Sequence, residues 1–187
     1  MFPAFLAGDE VRDRVRRDVE RNIESASSEE WAQLWRADLF VLDGRVDDAI
    51  GLLTKSVAAR DVAVASAASL YLGQYYEFLG RDGDAEDAYR QALNISSDDL
   101  QRLRAQINLA RVYNRRGQYG NVVELADSPL GQLPPDLIQH WMAEVGTAML
   151  AMGRRDAAAE FFERVIKAFP ARPELPLIRN HLMGHTS

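Results

Sequence analysis

The sequence predicts an all-α fold, a row of about four antiparallel helix pairs with a capping helix at each end. Three observations predict it. A glycine closes an apolar, helix-like segment four times, at Gly44, Gly80, Gly117 and Gly153, spaced 36, 37 and 36 residues apart. A fixed period of this size marks a stack of supersecondary units. The flanks agree, reading "FVLDGRVDDAI", "YEFLGRDGDAE", "YNRRGQYGNVV" and "LAMGRRDAAAE". Finally, only 7 prolines and 12 glycines interrupt 187 residues that are rich in alanine, leucine, arginine and glutamate, all good helix formers.

The elements follow in order. Residues 1–28 hold the N-terminal cap: Val11, Val15, Val19 and Ile23 recur every fourth residue behind Asp9 and Glu10, and acidic residues suit a helix N-terminus. This predicts a helix over Asp9–Glu24 under the first pair. With "FPAFLAG" before it, the same helix also reads as half of a degenerate repeat. Ser27-x-x-Glu30 is the expected capping box of the next helix.

The four pairs occupy 29–62, 63–97, 98–134 and 135–170. Their first helices are expected near Glu30–Asp43, Ala65–Leu79, Asp99–Arg116 and Leu137–Met152. The second pair shows the pattern best. Leu72-Gly73-x-x-Tyr76 and Ala85-x-x-x-Tyr89-x-x-Ala92 each put small residues and a ring on one helix side. Small residues let two helices approach to about 8–10 Å, and the rings fill the space beside the contact. The fourth pair repeats it with Val145-Gly146-x-x-Met149, Ala158-x-x-x-Phe162 and Pro170. The third has Leu109-Ala110-x-x-Tyr113 and Pro134, with Val122 and Ala126 as looser matches. The first has Ala37-x-x-Phe40 and Ala49-x-x-x-Leu53, without a closing proline. "ADSPLGQLPPD", 126–136, should end the third pair's second helix near Asp127, since proline removes a donor and clashes with the preceding turn. It reads as a long joint or as a functional loop. Residues 171–187 close the chain with a short helix from Pro173, carrying Leu177, Ile178 and Leu182.

These positions resemble the tetratricopeptide repeat, W-x-x-L-G-x-x-Y followed by A-x-x-x-F, A and P, over residues 30 to 170. The resemblance implies a right-handed α-solenoid, one domain over 1–187 that acts as a binding scaffold or adaptor and not as an enzyme. The period exceeds the family's usual 34, which implies longer joints between repeats. It also implies that the first helices line a concave groove for a peptide or partner segment. The expected lining is Trp31, Leu34, Asp38 and Val41 from the first pair, and Leu70, Gln74, Glu77 and Phe78 from the second. Arg104, Ile107, Asn108, Arg111 and Arg115 come from the third, and His140, Ala143 and Thr147 from the fourth. Leu34 and Asp38, or Leu70 and Gln74, stand where chaperone-tail binders of the family carry a lysine and an asparagine, which tells against heat-shock protein tails as ligands.

The third helix stands out. From Gln101 to Gly120 there are five arginines and no acid. Arg104, Arg111 and Arg115 fall within about 20° of one line at about 100° per residue. Arginine forks suit carboxylates, so the expected partner is an acidic segment or a free C-terminal carboxylate. Internal pairing with Glu77, Asp38 or Glu144 is the alternative. A self-assembling module, whose groove or terminal face binds another copy, is the alternative function.

Other chemistry is sparse. The net charge is −6, from 22 basic and 28 acidic residues, which argues against a nucleic-acid binder. "DEVRDRVRRDVER" interleaves five arginines with five acids as a solvated face. Without cysteine there is no disulfide or thiolate chemistry. His181 and His185 are four apart at a terminus, and "GRDGD" lacks the spacing of a calcium loop. No metal, cofactor or catalytic constellation is expected. The longest uncharged stretch, Val62 to Tyr76, is too short and polar to span a bilayer. "MFPAFLAGDE" lacks the features of a signal peptide. The expectation is a cytoplasmic protein, or a periplasmic one where a leader has been removed.

Overall fold

The computed structural model describes residues 8–126 and 135–184. Among the described residues there are ten helices and no strand. They form two compact units, Met1–Ala105 and Gln106–Ser187, and the division falls inside one helix.

The first unit begins with α1 (Asp9–Glu24), which packs on α2 (Glu29–Leu42). Val19 is its buried anchor. Arg12 donates to the carbonyl of Leu42 at 3.2 Å, and Arg16 pairs with Asp43. The two arginines thus sit at the C-terminal end of α2, where carbonyls lack helical partners and the dipole is negative. The capping expectation is off by one residue: the N-cap is Ser28, whose hydroxyl accepts from the Trp31 N–H at 3.2 Å. Trp31 therefore stands at the third helical position, so no capping-box glutamate is present.

α2 pairs with α3 (Val46–Ser56), and α4 (Val62–Phe78) pairs with α5 (Asp82–Ile95). α4 starts three residues earlier than expected because the Asp61 side chain caps it, accepting from the Ala63 N–H at 2.8 Å. One core joins the two pairs, with Leu34, Val41, Leu53, Val64 and Leu72 buried together. α6 (Asp99–Arg115) begins in this unit, with Asp98 accepting from the Gln101 N–H at 2.7 Å.

The second unit takes the rest of α6, then α7 (Tyr119–Ala126), α8 (Pro135–Ala151), α9 (Arg155–Ala168) and α10 (Glu174–Gly184). Ile138, Met142, Phe161, Phe162 and Val165 are its buried centre. α10 packs on α8 and α9, buries Leu175, and is tied by Arg155 donating to the Met183 carbonyl at 2.7 Å. It is the expected closing helix. α7 ends at Ala126, and the proline-rich stretch that follows lies outside the described residues from 127 to 134.

Two glycine roles recur. At the four turns, Gly44, Gly80, Gly117 and Gly153 have φ of 76°, 70°, 69° and 71°. In each, the residue after the glycine bonds back five residues: Arg45 to Phe40 and Arg81 to Tyr76 at 2.8 Å, Gln118 to Tyr113 and Arg154 to Met149 at 2.9 Å. The glycine itself bonds back three residues, for instance Gly80 to Glu77 at 3.0 Å. This is a Schellman motif, which satisfies carbonyls left over at the helix end. Inside the hairpins, Gly73 and Gly146 provide close approach. A Cβ on Gly73 would lie 2.3 Å from Tyr89 Cε1, and one on Gly146 would lie 2.2 Å from Phe162 Cζ.

Candidate functional site

The expected binding residues separate by burial into a supporting set and a presented set. In the first unit Leu34, Asp38, Val41 and Leu70 are buried. Leu34 and Val41 belong to the core that joins the hairpins. Trp31, Gln74 and Glu77 are half-buried, and Phe78 and Arg104 are exposed. In the second unit Ile107 and Asn108 are buried, Ala143 is half-buried, and Arg111, Arg115, His140 and Thr147 are exposed. The buried residues would meet a ligand only by displacing their neighbours, so they position the surface and do not form it.

The acids named as internal partners for the arginines each accept a hydrogen bond from a tyrosine or an asparagine. Tyr75 donates to Asp38 Oδ1 at 2.5 Å. Tyr89 donates to Glu77. Asn114 donates to Glu144 Oε2 at 2.7 Å and to its carbonyl at 2.9 Å. Arg104 makes no hydrogen bond or ion pair among the described residues, and Arg111 donates to Asn108 Oδ1. Asn108 thus holds the guanidinium of an arginine whose helix position faces solvent.

Several features escaped the sequence reading. Trp35 and Tyr71 stack obliquely on the first-helix side of the first unit, centroids 6.5 Å apart and planes at 53°. Arg45 lies 4.5 Å over the Phe40 ring, and Arg81 lies 4.6 Å over the Tyr76 ring. Each of these arginines also binds an aspartate three residues on, Asp48 at 2.7 Å and Asp84 at 2.8 Å. An aromatic four residues before the turn glycine, an arginine just after it and an aspartate four after it would have signalled this arrangement. A cleft of about 270 Å³ opens between α2, the end of α3 and the joint to α4, bordered by Gln33, Lys55 and Ser56. None of these residues belongs to the expected groove.

Among the described residues no group of three or more histidine, aspartate or glutamate side chains could hold a metal. His185 of the histidine pair lies outside them. No described helix is long and apolar enough to cross a membrane.

Stacked helix pairs, closed by left-handed glycines and packed glycine against ring, define an all-α repeat protein of the α-solenoid class. The tetratricopeptide repeat family matches residues 70–99 and 145–171, which are the α4–α5 and α8–α9 segments that carry these contacts. Crystal structures of nearly identical TPR-like repeats from a Podosopora anserina putative kinesin light chain are similar to the chain. A point variant of those repeats has 25% identity and a TM-score of 0.57, covering 86% of this chain and 85% of that one. A second form has the same identity and TM-score and covers 87% of each. No curated protein is similar to the chain at a significant level. The chain carries tetratricopeptide repeats over the segments 70–99 and 145–171. Such repeats generally mediate protein–protein interaction and are generally non-enzymatic scaffolds.

Proposed function

We propose that this protein is a scaffold that binds a protein or peptide segment on its first helices, with the arginines of α6 selecting an acidic stretch or a free C-terminal carboxylate. The observation that carries this reading is the state of the arginines. Arg104, Arg111 and Arg115 are exposed and fall along one line of α6. An arginine fork on a partly desolvated carboxylate contributes about 1.5–3 kcal/mol, against about 0–1 kcal/mol for an exposed surface pair. Trp31 and Phe78 supply apolar contact in the first unit. The ligand is therefore a mixed acidic and hydrophobic peptide.

The test is a titration with such a peptide ending in a free carboxylate, beside a twin whose acids and terminus are amides. The charged peptide should bind more tightly and lose affinity as salt rises, because screening acts over about 8–10 Å. Arg104→Glu and Arg111→Glu should each weaken it. Equal binding of the twins, or affinity indifferent to salt, would remove the arginines from recognition.

A further inference from the structure

Asp38 occupies a position whose repeat equivalents are Gln74, Arg111 and Thr147, so the first hairpin alone puts a carboxylate there. The residue is 4% exposed. Its Oδ1 accepts from the Tyr75 hydroxyl across the α2–α4 contact at 2.5 Å, and its Oδ2 is buried with no hydrogen-bond partner. A buried carboxylate oxygen without a donor is unfavourable as a charge and far less so as a neutral carboxyl. We propose that Asp38 is a proton-operated latch between α2 and α4, closed while its carboxyl is neutral and loosened when it ionises.

The surroundings fit such a latch. Among the described residues the groups that face Asp38 are the Tyr71 and Tyr75 hydroxyls of α4, with Arg104 of α6 acting on Tyr71, and the positive charge of the chain's N-terminus also acts on Asp38 in the lowering direction. No lysine or arginine pairs with the carboxylate among the described residues. Burial lifts the Asp38 carboxyl to about 6, and the bond from Tyr75 works in the opposite direction. Burial also raises the Tyr71 hydroxyl, with the Asp38 charge adding and Arg104 opposing, and it raises Tyr75. Because the folded value lies above the ordinary 3.8, the stabilising contribution is complete below about pH 4 and is lost as pH rises through about 6. Both helices also present residues of the proposed binding face, so the latch would couple that face to pH.

The first measurement is the carboxyl carbon resonance of Asp38 in the intact wild-type protein, followed against pH. A midpoint near 6 is expected, and one at or below the ordinary range near 4 would overturn the latch. The second is amide hydrogen exchange around Asp38 and Tyr75, comparing wild type with Asp38→Asn at each pH to remove the intrinsic pH dependence. Between pH 5 and 7.5 the wild type should lose protection about tenfold or more relative to the variant. Parallel trends would overturn the proposal. Tyr75→Phe provides a check that does not depend on the asparagine variant folding. Without the donor that favours the charged form, the Asp38 midpoint should move upward, and an unmoved midpoint counts against the latch.

Discussion

The α4–α5 and α8–α9 hairpins, one in each unit, solve the same packing problem with different side chains. In both, a glycine of the first helix faces a ring of the second: Gly73 against Tyr89, and Gly146 against Phe162. Both turns use a glycine near φ 70° and the same backbone bonds. The polar additions differ. Tyr89 carries a hydroxyl that reaches Glu77, and Arg81 covers the Tyr76 ring. At the corresponding places the second hairpin has Phe162, Leu150 and Met149. Shape complementarity is therefore what the repeat requires, and the polar contacts are local elaborations on it.

The largest effect should come from breaking what the hairpins share. Gly73→Leu and Gly146→Leu each drive a side chain into a fully buried ring. Each should destabilise by about 3 kcal/mol, the upper end of ordinary overpacking, as measured by urea unfolding. If either is tolerated, the equivalence of the two contacts fails. Exchanging the rings sharpens the difference. Phe162→Tyr adds a hydroxyl where Leu150 replaces Glu77, and should cost about 2 kcal/mol for a buried polar group without a partner. Gly80→Ala and Gly153→Ala both have open space for a methyl group, so they isolate the strain of positive φ. Each should lose about 1–2 kcal/mol, with matching shifts in thermal midpoint. Unequal losses would mean that the turns are not the same device. Tyr89→Phe should be mildest, about 1 kcal/mol for one hydrogen bond, because Phe162 already shows that the site accepts a bare ring.

The turn-glycine register was legible because positive φ admits almost no other residue, whereas the close-approach position takes alanine at Ala37 and Ala110. The caps were less so. Ser27 and Ser28 are both competent caps, and only backbone geometry chooses between them. The site was legible as a helix face but not as a surface. A helical projection gives Leu34, Asp38, Leu70, Ile107 and Asn108 an angle, and does not report which neighbour packs over them. The Asp38–Tyr75 bond joins residues 37 apart on two first helices. No spacing rule within one helix could reveal it. Arg104, Arg111 and Arg115 were legible because long charged side chains on such a line stay in water, as they do here.

The glycine–ring contact also bears on how quickly the chain can organise itself. Gly73 and Tyr89 are 16 residues apart, as are Gly146 and Phe162, and each pair meets across a turn fastened by local backbone bonds. Contacts this local carry a small loop-closure penalty and belong to the low-contact-order regime, in which helical domains fold in microseconds to milliseconds. Translation adds only about 5–20 residues each second. The α4–α5 hairpin can therefore close, and cover one side of the uncharged stretch 62–76, while the second unit is still being synthesised.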